Sequence, residues 1–176
     1  MKKIAVIAAL ILISAGVVFF GTSKEEVKAD YLRIHIRANS NGAEDQSVKY
    51  KVKDEIVNYL TPYLADCETK KQATETIKSK LRELEKVADR TLRENGFGYS
   101  SAARIDREEF PTRSYEELVL EAGEYDALII NLGTGTGDNW WCAVYPPLCF
   151  VPTGGSGDEF VYRSKIYDII EKFKNK

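Results

Sequence analysis

What most restricts the fold of this chain is the order in which its hydrophobic period changes. Residues 31–38 alternate, with Leu32, Ile34 and Ile36 on one side and Tyr31, Arg33, His35 and Arg37 on the other. Period two marks a half-buried strand. Asn39-Ser40-Asn41-Gly42 then supplies turn formers and helix caps. From Ala43 to Leu60 or slightly beyond, Val48, Val52, Ile56 and Leu60 recur every fourth residue. That spacing predicts a helix, with Glu44 and Asp45 at the positive end of its dipole. Pro62 ends or bends it. A second long helix is expected over Thr69 to Glu94, through Ala73, Ile77, Leu81, Leu84, Ala88 and Leu92, stopped by Asn95-Gly96. Strand patterns then follow one another over Ala102–Phe110, Glu116–Glu121, Tyr125–Leu132 and Trp140–Tyr145, before a short helix over Ser164–Lys174. Strands grouped in sequence imply antiparallel pairing. The expected class is α+β: a mostly antiparallel sheet with two long amphipathic helices and a short C-terminal helix on one face. Gly154-Gly155-Ser156-Gly157 reads as a flexible loop.

Residues 1–29 stand apart. Lys2 and Lys3 precede an uncharged apolar run of 17 residues, 4–20, the layout of a bacterial export signal or a short membrane anchor. Val27-Lys28-Ala29 offers cleavage before Asp30 after a long spacer. A retained anchor fits the same residues and would keep the chain in contact with the membrane. Residues 30–176 are read as one extracytoplasmic domain. They carry 21 Lys+Arg against 25 Asp+Glu, a net charge of −4, which argues against a nucleic-acid partner.

The stretch NLGTGTGDNWWCAVYPPLCFV, residues 131–151, concentrates the features that could carry chemistry. Gly133, Gly135 and Gly137 form GxGxG, but Asp138 stands where a dinucleotide fingerprint needs its third glycine. A strand pattern follows, so no helix N-terminus waits for a phosphate. The expectation is a mobile turn between two antiparallel strands and no nucleotide cofactor. His35 is the one histidine, so a Ser-His or Cys-His mechanism would have to use it. Arg33 and Arg37 beside it depress its proton affinity, and no carboxylate stands near in sequence. Scattered cysteines and a lone histidine give no CxxC, HxxxH or HxxE spacing, so no metal site is expected. No catalytic residue is assigned.

Cys142 and Cys149 enclose six residues. In an exported chain they either form a bridge, contributing roughly 2 to 3 kcal/mol through loop closure, or stand as two small buried hydrophobes. Cys67 has no obvious partner. On a strand Trp140 and Trp141 point to opposite faces, so one is core and the other exposed or half-buried. With Tyr145, Pro146, Pro147 and Phe150 they form a rigid recognition patch or, more plainly, core aromatics.

Two segments carry a resemblance. IHIRANSNGAEDQSVKYKVKDEIVNYL, residues 34–60, resembles the amino-terminal signature of the stage II sporulation protein R (SpoIIR) family. GDNWWCAVYPPLCFV, residues 137–151, is similar to that family's second hallmark. The matching positions are His35, Ala38, Asn39, Ser40, Asp45 and Gln46, with Asn139, Trp140, Trp141, Cys142, Pro146, Pro147, Leu148, Cys149 and Phe150. Arg37 stands where the family often has an aliphatic residue, and Asn41 where it has an acidic one. The resemblance implies an exported signalling protein, made in the forespore and delivered into the intermembrane space of the septum. Its implied partner is SpoIIGA, a membrane-embedded aspartic protease that then processes pro-sigma-E in the mother cell. The chain would be an activating ligand without a cofactor, and not an enzyme. His35, Asn39, Ser40, Asp45, Trp140, Trp141, Pro146 and Pro147 are the expected partner-binding residues. Competing expectations are an extracytoplasmic thiol- or histidine-dependent enzyme acting on cell wall, and a passive structural module of the septum.

Overall fold

A computed structural model describes residues 30–115, 118–148 and 170–171. The apolar run, the cleavage site, Cys149, Phe150, the Gly154-Gly155-Ser156-Gly157 loop and most of the expected C-terminal helix lie outside those residues. Among the described residues no helix is long and apolar enough to cross a membrane.

Strand β1 (Leu32–Arg37) leads into helices α1 (Ala43–Leu64), α2 (Lys70–Ser79) and α3 (Leu81–Glu94). Five strands follow: β2 (Ser101–Phe110), β3 (Arg113–Tyr115), β4 (Leu118–Leu120), β5 (Gly123–Leu132) and β6 (Asn139–Tyr145). The main sheet has the order β2-β5-β1-β6, and β3 pairs with β4 in a small hairpin whose first strand the hydrophobic pattern does not reveal. β2 with β5 and β1 with β6 are antiparallel, whereas β1 runs parallel to β5. The α+β class and the mostly antiparallel sheet therefore hold. The one parallel pairing departs from the grouping rule because β1 precedes the helices and inserts between two strands that are neighbours in sequence.

The helices cover one face. Val48, Val52, Ile56 and Leu60 of α1 are at most 2% exposed. They pack in one cluster with Leu32, Ile34 and Ile36 of β1 and Leu128, Ile130 and Leu132 of β5. Burying each such side chain stabilises by roughly 1.5 to 3 kcal/mol. Ile170 is buried in the same cluster. α1 neither ends nor breaks at Pro62 but continues to Leu64. In the last turn the proline removes a single bond, and Ala65 N–H still closes the helix on Thr61 O at 3.1 Å. The second expected helix is two helices. Thr69 caps α2 by accepting from Gln72 N–H at 3.2 Å, and the chain turns at Lys80 (φ −109, ψ 3) to begin α3. No glycine or proline marks that turn, and the apolar spacing runs through it unbroken.

β1 is not half-buried; it is buried on both faces. As the strand between β5 and β6 it has its second face covered by Phe110, Leu120 and Tyr125. Arg33 is fully buried there, flanked across the sheet by Ala127 and Ala143. These small neighbours leave room for the guanidinium, whose carbon lies 4.5 Å from the Phe110 ring centroid, 5.0 Å from Tyr125 and 5.9 Å from Tyr115. Its Nε donates to Cys142 O at 3.1 Å and Nη2 donates to Tyr115 Oη at 3.2 Å. Burial lowers the Arg33 pKa, opposed by the two tyrosines. Cation–π attraction of this desolvated kind contributes up to about 2 kcal/mol per contact.

Candidate functional site

The two hallmark segments meet at the end of β1. Because β1 separates β5 from β6, residues 133–138 must cross two strand spacings, roughly 9.6 Å, over the chain leaving β1. The glycines permit that crossing. Gly133 adopts φ 55, and Gly137 packs so closely on Ser40 that a Cβ would overlap the Ser40 carbonyl. Thr134 N–H donates to Asn39 Oδ1 at 3.0 Å, and the Thr134 and Thr136 hydroxyls donate to Asn39 O at 2.8 and 2.9 Å. Gly137 N–H donates to Ala38 O at 2.9 Å and Asp138 N–H to Asn41 Oδ1 at 2.5 Å. The expected mobile turn is thus a loop locked onto the β1–α1 junction. The N–H groups of Gly133, Thr134, Gly135, Gly137 and Asp138 are committed to the protein itself, not presented as a row to a phosphate.

Beneath this loop the Asp45 carboxylate gathers three donors: Ser40 Oγ at 2.5 Å, Tyr99 Oη at 2.6 Å and Asn39 Nδ2 at 2.9 Å. Burial opposes the charge of Asp45, but these bonds outweigh it and hold the carboxyl below its usual range. Lys49, 1% exposed, donates to Gln46 Oε1 at 2.6 Å and to Asp138 O at 3.0 Å, tying α1 to the end of the loop. Asn39, Ser40 and Asp45 are therefore one assembly, and Tyr99, Thr134, Thr136 and Lys49 belong to it. The paired turn formers hint at such a knot; nothing in their spacing identifies its distant members.

A second assembly lies on the sheet face away from the helices. His35 is 3% exposed, with Nδ1 2.6 Å from Glu108 Oε2, and the other Glu108 oxygen accepts from Arg37. Glu108 is the carboxylate the local sequence lacks, delivered from β2. Burial pushes the His35 imidazole down to about 4, opposed by the neighbouring Asn139 side chain and reinforced by Arg37 and Arg104. The ring lies 5.3 Å from that of Trp141, tilted by 35°. Arg113 of the hairpin lies 4.8 Å over the same indole.

Trp140 and Trp141 do take opposite faces, but both are half-buried: Trp140 packs toward the helix core beneath Lys53, and Trp141 on His35. Pro146 and Pro147 are buried, as is Tyr145, so among the described residues of the expected aromatic-proline surface the two indoles alone are partly open. Cys142 is disulfide-bonded, and Cys67 is free and buried. Cys142 pairs with Ile34 in register and His35 with Trp141, which puts Cys142 and His35 on opposite faces of the sheet. Burial pushes the Cys67 thiol up, and its Sγ lies 3.3 Å from Tyr63 O. Among the described residues no three His, Cys, Asp or Glu side chains gather as metal ligands.

The pKa shifts give a testable sign. The folded His35 binds its proton less readily than the unfolded group at 6.5, so stability is fully present above pH 6.5 and declines as the pH falls toward 4. The depressed Asp45 adds stability above 3.8 that is lost as the pH falls through its lower folded value. Urea midpoints measured from pH 7 to 3 are expected to fall throughout. His35→Asn, read against its own pH 7 value, should flatten the segment between 6.5 and 4 and leave the lower one.

The model of the family described as stage II sporulation protein R matches residues 28–154, which include both hallmark segments joined at the β1 end. The chain belongs to the stage II sporulation protein R family. A relative in this family, stage II sporulation protein R of Bacillus subtilis (strain 168), is 34% identical over 162 residues, covering 86% of this chain and 72% of the relative. No solved structure matches. In this chain Asn39, Ser40 and Asp45 join the β1–α1 turn to the glycine loop, and His35 lies against Trp141 on the opposite sheet face from the helices.

Proposed function

We propose that this chain is the exported signal that activates the membrane-embedded aspartic protease SpoIIGA, leading to processing of pro-sigma-E in the mother cell. The forespore makes it, and the export-type segment at residues 1–29 delivers the domain into the intermembrane space of the septum. Family membership supports the sporulation role. One observation favours a ligand over a thiol or histidine enzyme: His35 is buried beneath Trp141 and held by Glu108, on the face opposite Cys142. Cys142 is in a disulfide, and burial disfavours the thiolate of Cys67. The candidate bridge joins Cys142 to Cys149. These groups hold the domain together, and hydrolysis falls to the partner.

The test is co-production of the chain, the protease and pro-sigma-E in vegetative cells. Processing is expected only when all three are present and the chain retains residues 1–29. Equal processing without the chain would contradict activation and favour a passive septal module.

A further inference from the structure

The arginines of the strands divide sharply. Arg37 bridges to Glu108, Arg104 to Asp106 at 3.5 Å, and Arg107 to Glu124 at 2.9 Å; Arg33 is sealed in its aromatic cage. Arg113 is exposed, and no carboxylate among the described residues bridges it. It is nevertheless held in place. Its β3 position pairs with Leu120, which is 2% exposed. Two residues on, Tyr115 accepts from Arg33, while the Arg113 guanidinium covers the half-buried Trp141 at 4.8 Å. The two contacts are reciprocal, since the sheet offers an arginine to the hairpin's tyrosine and the hairpin an arginine to the sheet's tryptophan.

A guanidinium stacked on an aromatic face keeps its N–H fork pointing outward along the ring plane, and less freedom is lost when a carboxylate docks. Arg113 is a cation that no described carboxylate bridges, on a stretch (residues 30–176) of net charge −4. On the same face Arg37 and Arg104 are already bridged to Glu108 and Asp106. We infer that the Arg113–Trp141 stack is a contact point for the partner, and that it receives an acidic side chain from the protease's extracytoplasmic surface. Arg113 supplies the charge-assisted hydrogen bonds and Trp141 the rigid apolar area. His35 and Glu108 are positioning residues beneath the indole. The inference rests on the activation reading above and names the partner chemistry of that site.

The experiment compares full-length wild type, Arg113→Glu, Arg113→Lys and Trp141→Ala at equal exported amounts, scoring pro-sigma-E processing with melting temperature as the folding control. Arg113→Glu is expected to lower processing by about tenfold or more, because like charges then meet at the contact. Arg113→Lys should fall between, keeping charge but losing the planar fork. An acid-to-lysine substitution in the protease should restore Arg113→Glu and leave Trp141→Ala impaired. Wild-type processing by a folded Arg113→Glu overturns the contact while leaving activation in place; no processing with the wild-type chain overturns activation itself and the contact with it. Arg113-dependent binding to phosphatidylglycerol vesicles without the protease, with no charge-swap rescue, assigns the guanidinium to lipid and also overturns the inference.

Discussion

Gly137→Ala is expected to destabilise the protein by about 3 kcal/mol or more, an unusually large loss for adding one methyl group. The added Cβ would meet the Ser40 carbonyl, which is backbone and cannot rotate away. Ser40 is in turn fixed by its hydroxyl on Asp45 and by Gln46 Nε2 on its carbonyl at 2.9 Å. Relief therefore requires the whole crossing over β1 to lift, with loss of the Gly137–Ala38 and Asp138–Asn41 bonds. Gly98→Ala is the control, since nothing lies within 4 Å of its added methyl. That substitution should leave stability unchanged or slightly raised through the unfolded state. Urea denaturation of the two variants checks the difference, and a Gly137→Ala midpoint equal to that of Gly98→Ala would mean the loop is not locked on the turn.

Arg33→Ala should cost about 4 kcal/mol. The change removes the stacked guanidinium, leaves the Cys142 carbonyl and the Tyr115 hydroxyl without that donor, and opens a cavity between Ala127 and Ala143. Arg33→Met should recover about half of the loss, because it refills the volume and no longer buries a charge. The β3–β4 hairpin is expected to feel Arg33→Ala first. Amide exchange at Tyr115 and Leu120 should accelerate more than at Ile56, and uniform acceleration across the molecule would contradict a role in holding the hairpin.

How much of this was legible in the residues depended on range. The apolar sides of β1 and α1 follow from periods of two and about four, and the structure buries the same side chains. Alternation also suggested that Arg33, His35 and Arg37 line an open face, because a strand's own pattern says nothing about what covers it. Their partners come from Glu108, Phe110, Tyr115 and Tyr125, which lie more than 70 residues away. The glycine loop misled for a related reason. Gly-Thr alternation signals a turn, but its rigidity comes from the strand inserted between β5 and β6, and that pairing is not local. The break at Lys80 leaves no mark in residues whose apolar spacing is continuous. Asn39, Ser40 and Asp45 were recognisable as a set through the family resemblance; that Tyr99 and Thr134 complete their bonding needed the fold.

A titration decides most directly between a ligand and an enzyme. The full-length chain is added in increasing amounts to vesicles holding the protease, and the initial rate of pro-sigma-E cleavage is followed. An activating ligand gives a rate that rises with occupancy, saturates near one chain per protease, and falls back when the chain is removed. A trace of the chain that leaves the protease fully and lastingly active after its removal would contradict a binding signal, and would return catalysis to this protein.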